Sequence, residues 1–223
     1  MRAYHFFKRL EDIAFSLCFI IVFSPLYAGV ALVSYFSGLR PVIFRQTRAG
    51  LNGKPFTIYK FTSMTDERGE DGKLLPDSKR LTPFGRFLRK SSIDELPQFA
   101  NILKGEMSLV GPRPLLVEYN ANYSPEHALR LTVKPGVTGL AQISGRSAIK
   151  WSQKFDADVR YVKSASFWQD QKILFLSFYK VLASVNSPAA IDDIRQIDDI
   201  NLYGRSFGKN EAGGARDADG KTR

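Results

Sequence analysis

Cysteine and histidine are nearly absent from this chain. Cys18 stands alone among 223 residues, so no intrachain disulfide can form and a thiolate zinc site is excluded. His5 and His127 are the two histidines, too few for a histidine-rich metal centre. A metal bound here has to rest on oxygen ligands. Acidic residues are missing from 37 to 60, and charge of either sign is missing from Ile13 to Phe36. No internal repeat occurs. What is present is a hydrophobic content of 44%, which excludes a disordered chain, and a length that suits one domain with an appendage. The net charge of +10 calls for an anionic partner: nucleic acid, a lipid headgroup or a phosphorylated substrate.

The uncharged run is the strongest physical signal. Its 24 residues would make a straight helix of roughly 36 Å, longer than the roughly 30 Å hydrocarbon core of a bilayer. Ser24-Pro25 interrupts it, and an interior proline removes a backbone hydrogen bond and kinks the helix. Arg2, Lys8 and Arg9 precede the run; Arg40, Arg45, Arg48, Lys54 and Lys60 follow it. Basic flanks favour the cytoplasmic side of a membrane, and here both flanks want the same side. Two halves of about 18 Å are each too short to cross alone. A re-entrant helix broken at Pro25, a spanning helix and a cleaved signal peptide are all compatible with the run. Glu11-Asp12 and the apolar continuation to Phe36 fit the signal peptide poorly.

The remainder reads as α+β and predominantly helical. Val42–Gln46 and Pro55–Phe61 are β-formers around the loop Ala49–Gly53, a hairpin pattern. Residues 64–80 are polar and read as a mobile surface loop. Residues 83–104 read as two helical pieces, 107–117 as non-helical and 134–146 as mostly loop. Residues 151–186 read as helix broken near 164–166, with Phe155, Val159 and Val162 on one face. The apolar stretch from Ile173 to Leu182 suits either a core helix or an amphipathic helix lying on lipid. The acidic pairs Asp192-Asp193 and Asp198-Asp199 read as a solvated segment, and disorder is expected from Gly204 onward. The implied organisation is a membrane helix over 1–40, a catalytic domain over 41–186 and a polar tail over 187–223.

The chemistry concentrates between residues 79 and 146. Lys79, Arg80, Arg86, Arg89 and Lys90 precede Asp94-Glu95 with no acid between them. Ser92 and Glu95 have capping-box spacing, so a purely structural role for the acids is available. Pro97 bears on this: with Asp94 as the cap, Pro97 is the third helical residue, where its missing N–H costs nothing. A carboxylate at that helix mouth, near arginine, is expected to stay ionised at neutral pH. An ionised Asp is a nucleophile toward phosphorus. The helix end with Arg86 and Arg89 attracts phosphate, and paired carboxylates beside phosphate suit Mg²⁺. Neighbouring helical residues point about 100° apart, so Asp94 and Glu95 need different tasks. Gly111-Pro112-Arg113-Pro114 locks the backbone around one arginine, which serves either as a rigid turn or as a pre-positioned anion clamp.

Five motifs follow one another in order: Phe44-x-Gln46-x-x-x-Gly50; Tyr59-Lys60-Phe61; Arg89 through Gln98; Met107 through Pro114; and Lys134 through Arg146. Together they resemble the bacterial sugar transferases, the monotopic phosphoglycosyl transferases that start glycan assembly on a polyprenyl carrier. The resemblance covers roughly residues 5–186. It implies a re-entrant helix broken at Ser24-Pro25, and a site at the cytoplasmic face of the bacterial inner membrane. The implied substrates are a nucleoside-diphosphate sugar, usually a UDP-sugar, and a polyprenyl phosphate such as undecaprenyl phosphate. By the same resemblance Asp94 attacks the sugar-bearing phosphorus, UMP leaves, and the polyprenyl phosphate takes the phosphosugar from Asp94 in a second step. Glu95 completes the dyad, and Mg²⁺ is the implied cofactor, held by Asp94 and Glu95. Lys60, Arg86, Arg89, Arg113, Gln142 and Arg146 form the expected substrate- and phosphate-binding set. Ile93, Thr62 and Glu106 depart from the usual Leu, Arg and Asp; with Thr62, one side of the phosphate or nucleotide contact lacks the usual arginine. No extra N-terminal membrane domain of the kind found in larger relatives is expected. Two other readings remain: a basic membrane-anchored protein that binds anionic lipid or nucleic acid, which leaves the acids unexplained and lacks any nucleic-acid motif, and an inactive scaffold, which the intact Asp-Glu pair opposes.

Overall fold

The computed structural model describes residues 2–145, 149–184, 198–202 and 206. Helix α1 (Arg2–Val22) is followed after one residue by α2 (Ser24–Phe36), with a bend of 60° between them. The break has a local cause. Pro25 has no N–H to offer the carbonyl four residues back, that of Ile21. The Ser24 hydroxyl donates to that carbonyl instead, at 2.8 Å, so the kink leaves no orphaned acceptor. Among the described residues no single helix is long and apolar enough to cross a membrane; the bent pair together is.

Strands β1 (Ile43–Ala49) and β2 (Pro55–Phe61) form the anticipated antiparallel hairpin, with Phe44 opposite Lys60 and Arg48 opposite Phe56. Its tip is a 3-10 turn, Leu51–Gly53, in which Asn52 takes φ 55°. The polar stretch beyond is tied by bridges Met64↔Leu81 and Arg68↔Leu74 and ends in α3 (Asp77–Arg80). Helices α4 (Pro83–Lys90) and α5 (Gln98–Lys104) are the two expected pieces.

The described part of the stretch 134–146, up to Gly145, departs from the loop expectation. It forms β4 (Gly136–Thr138), parallel to β3 (Ser108–Val110), and then α6 (Leu140–Gly145). Glycine is used here for close approach: a Cβ on Gly136 would lie 2.1 Å from the Gly111 amide nitrogen. The two backbones therefore pack with no side chain between them, which composition alone reads as loop. Helices α7 (Trp151–Ser164) and α8 (Phe167–Ser184) complete the fold, with the break where it was expected.

The main core gathers Ile58, Phe99, Ile102, Met107, Leu109, Val110, Tyr161 and Ile173. Helix α1 docks on it: the Phe19 ring stacks on Phe99 with centroids 4.2 Å apart. The charges of α1 serve this docking rather than acting only as membrane flanks. Arg9 donates to the carbonyls of Ile102 and Leu103 at the end of α5, Lys8 pairs with buried Asp170 at 2.7 Å, and Asp12 accepts from the Leu109 amide and the Ser108 hydroxyl.

A second cluster holds Tyr119, Trp151, Phe155 and Leu202. Asp199 is exposed, as the solvated reading of the acidic pairs has it, but the segment is anchored beside it. Leu202 is fully buried, and Asp199 accepts from the Ser152 amide and hydroxyl. Asp192-Asp193 and nearly all of the tail expected to be disordered lie outside the described residues. Helix α8 turns out to be two-sided: Ile173 is buried while Trp168, Phe175, Phe178 and Tyr179 are exposed.

Candidate active site

The Asp94-Glu95 pair sits on a 3-10 turn, Ile93–Glu95, between α4 and α5. Helix α4 stops because Ser92 adopts the left-handed region, φ 58°, a conformation that costs a non-glycine residue roughly 1–2 kcal/mol. The Ser91 hydroxyl bonds back to the Phe87 and Leu88 carbonyls. Neither capping arrangement considered from the sequence occurs. Ser92 makes no side-chain cap, and α5 starts at Gln98 with Pro97 before it. Asp94 is thus not at the mouth of a helix.

The two carboxylates have different surroundings. Glu95 Oε1 accepts from Lys60 Nζ at 2.7 Å and from an Arg113 guanidinium nitrogen at 2.8 Å. Burial opposes its ionisation, but Arg113 and Lys60 outweigh that and hold the Glu95 carboxyl far below the usual range. The hydrogen bonds and ion pairs of the dyad all fall on Glu95; among the described residues none falls on Asp94, although Asp94 is only 8% exposed. Burial and then the Glu95 charge raise the Asp94 carboxyl to about 6, against the pull of Lys60, Arg89 and Arg113. The shift runs opposite to the helix-mouth expectation, yet Asp94 is still mainly ionised at pH 7. A buried, unpaired carboxylate is costly and is chemically available.

Several elements bring the cations here. Lys60 projects from β2. Arg113 stands on the Gly111–Pro114 turn, which is sewn to β4 by Gly111 N–H to Thr138 O and Gly136 N–H to Pro112 O, both 2.9 Å. Arg89 is exposed on α4 and donates to the Ser63 hydroxyl at 2.9 Å. Gly85 makes this approach possible, since a Cβ there would lie 1.7 Å from the Ser63 carbonyl oxygen. Arg86 is exposed one turn earlier and makes no hydrogen bond or ion pair with the dyad among the described residues. Gln142, on α6, has both amide atoms buried and without a hydrogen-bond partner among the described residues. Arg146 lies outside the described residues. Thr62 spends its hydroxyl on the Pro41 carbonyl, and Glu106 accepts from buried Asn101, which also donates to Thr57 O of β2.

Two arginines of the site are not legible in the motifs. Arg48 of β1 lies within electrostatic reach of Arg113 and Glu95; burial, then Arg113, lowers it to about 10. Arg130, at 3% exposure, donates to Asp158 Oδ2 from Nε and Nη2 at 3.0 and 2.9 Å, and from Nη2 to the Arg113 carbonyl at 2.7 Å. The turn that presents Arg113 is therefore anchored on a buried ion pair.

For a metal, the donor set is small: among the described residues no group of three or more His, Cys, Asp or Glu side chains converges. Mg²⁺ binds through one or two carboxylates with water and substrate phosphate completing the shell, and the adjacent Asp94 and Glu95 are donors of that type. Asp94, unpaired, is the better ligand; Glu95 Oε1 already takes two cations.

The sequence pattern described as bacterial sugar transferase matches residues 3–184. The uncharacterized sugar transferase EpsL of Bacillus subtilis (strain 168) is 55% identical over 183 residues, covering 79% of this chain and 88% of that protein. The UDP-glucose:undecaprenyl-phosphate glucose-1-phosphate transferase of Klebsiella pneumoniae is 44% identical over 185 residues, 78% of this chain but 40% of its own length. The protein of the same name from Caulobacter vibrioides (strain ATCC 19089 / CIP 103742 / CB 15) is 38% identical over 192 residues, 81% of this chain and 71% of that protein.

Proposed function

The chain belongs to the bacterial sugar transferase family, and from that premise we propose that it moves a sugar-1-phosphate from a nucleoside-diphosphate sugar to a polyprenyl phosphate. A UDP-sugar and undecaprenyl phosphate are the proposed pair, with release of UMP. The names of the Klebsiella and Caulobacter relatives support the acceptor and the donor class. The observation that carries the reading is Asp94: a buried carboxylate without a partner among the described residues, beside Glu95, which is paired with Lys60 and Arg113.

The proposed chemistry is ping-pong. An Asp94 oxygen bonds to the sugar-bearing phosphorus, and the bond from that phosphorus to the bridging oxygen breaks. UMP leaves with the electron pair. An oxygen of the polyprenyl phosphate then bonds to the same phosphorus and the Asp94 carboxylate is regenerated. Lys60 and Arg113 hold Glu95 ionised, so Glu95 fixes two cations beside the phosphates. Arg89 adds a third, and charge spread over the transferred oxygens is neutralised without reorganisation. Mg²⁺, bound through Asp94 and the substrate diphosphate, would supply further charge neutralisation.

The acceptor stays in the bilayer, so the site has to meet lipid. Phe6, Phe7, Leu10, Leu17, Ile21 and Phe36 expose apolar surface on the bent helix pair, as do the α8 aromatics. We assign the pair as a re-entrant element of the bacterial cytoplasmic membrane, with the catalytic part on the cytoplasmic face. In a Cys18→Ser background, Ala3→Cys and Asn52→Cys should both react with an impermeant maleimide from the same face of sealed vesicles. Reaction from opposite faces would rule out re-entry.

The functional test is UMP release from a panel of UDP-sugars with undecaprenyl phosphate and Mg²⁺. One donor is expected to turn over and to require the acceptor for multiple cycles. Salt-sensitive binding without turnover of any donor would favour a lipid-binding role instead.

A further inference from the structure

Tyr27 lies two residues beyond Pro25, on the first turn after the bend, and its side chain faces the protein. Its hydroxyl donates to the Leu96 carbonyl at 2.6 Å. Leu96 follows Glu95 directly, and the same carbonyl takes the Phe99 amide that opens α5. The Tyr27 ring meets Phe61 edge-on, with centroids 5.8 Å apart, and Phe61 follows Lys60, the residue that grips Glu95. Ile93 and Leu96, on either side of the dyad, pack with Tyr27 against the cluster of Val30, Phe61 and Leu88. One side chain of the helix pair therefore touches the chain neighbours of both partners in the Lys60–Glu95 contact.

We propose that Tyr27 is a positioning residue that couples the seating of the bent helix pair to the geometry of the catalytic turn. The angle at Ser24-Pro25 decides where the Tyr27 phenol falls. The phenol in turn fixes the Leu96 carbonyl, and with it the register of Glu95 against Lys60 and Arg113. Lipid that holds the bend at its proper angle thereby holds the dyad in register. An enzyme whose acceptor exists only in a membrane would gain from being assembled fully only there. The activity arm of this inference rests on the transferase reading; its structural arm does not.

Tyr27→Phe is the test, because it keeps the ring and removes one hydrogen bond. Full-length protein is compared in vesicles of phosphatidylethanolamine and phosphatidylglycerol and in detergent. The expected result is a kcat for UMP release lower by about 10-fold in vesicles, with donor KM within about twofold, since a small displacement of positioned groups acts on the chemical step. Vesicle binding should be unchanged, and the advantage of vesicles over detergent should shrink. Amide hydrogen exchange should rise over residues 93–99 and not elsewhere. Tyr35→Phe, on the same helix and exposed, should match wild type in every readout. Wild-type kcat with wild-type exchange at 93–99 would overturn the proposal, as would a loss accompanied by raised exchange throughout the chain. If the wild-type protein releases UMP from no donor, the transferase reading fails. Exchange at 93–99 then decides the tie by itself.

Discussion

Asp94→Asn is expected to lower acceptor-dependent UMP release by at least about 10³-fold, the scale on which removal of a covalent nucleophile acts. The substitution keeps size and polarity and removes the anion. Folding should not suffer. The Asp94 carboxyl is raised to about 6, by burial first and by Glu95 second. A carboxyl raised in the folded state favours the fold while protonated, and that contribution is lost as pH climbs through about 6. Asn never charges, so at pH 7 the variant should be as stable as wild type or more so, by on the order of 1–3 kcal/mol. Loss of turnover with a retained or raised melting temperature separates chemistry from folding. The same shift sets the acid limb of the wild-type pH profile: kcat/KM should fall as pH drops through about 6. Near-normal turnover of Asp94→Asn would remove the aspartate from the mechanism.

Arg130→Met should be the most destabilising single change near the site. Arg130 and Asp158 are each about 3% exposed, and the guanidinium also serves the Arg113 carbonyl and the Tyr123 hydroxyl. Removing one partner of a buried pair strands the other charge and costs roughly 3–5 kcal/mol. The double variant Arg130→Met with Asp158→Leu should recover most of that loss, since an apolar pair of similar volume is tolerated. Activity should not recover with it. The Arg113 carbonyl would have lost its donor, and the turn that aims Arg113 at Glu95 would be free to drift. Thermal melts of the three proteins alongside UMP release check both halves. A double variant with wild-type kcat would confine the pair to stability.

What sequence could and could not reveal divides along the range of the interactions. The β1–β2 hairpin, the break at Ser24-Pro25 and the break between α7 and α8 follow from local chemistry: alternating β-formers, a missing amide hydrogen, an interrupted apolar period. Ordered motifs likewise point to Asp94 and Glu95 with Lys60, Arg86, Arg89, Arg113, Gln142 and Arg146, of which Lys60 and Arg113 bond to Glu95. Arg130 and Asp158 are 28 residues apart, and Tyr27 and Leu96 are 69 apart; no local pattern joins them. The left-handed Ser92 was hidden as well. Its capping-box spacing to Glu95 is real, but the turn it makes points Glu95 at Lys60 of β2 and at Arg113 of the Gly111–Pro114 turn instead of along a helix axis. That is why Asp94 is raised by burial rather than lowered by a helix end. Lys8 and Arg9 read as membrane flanks because their partners, Asp170 and the end of α5, lie far away in the chain. Gly136 reads as loop because composition cannot distinguish a glycine that turns the chain from one that lets two strands touch.

Mass spectrometry on the protein incubated with donor and Mg²⁺ but no polyprenyl phosphate tests the nucleophilic role most directly. A sugar-phosphate mass should appear on the peptide that carries Asp94 and vanish when undecaprenyl phosphate is added. Product formation with that peptide unmodified throughout would contradict covalent catalysis by Asp94.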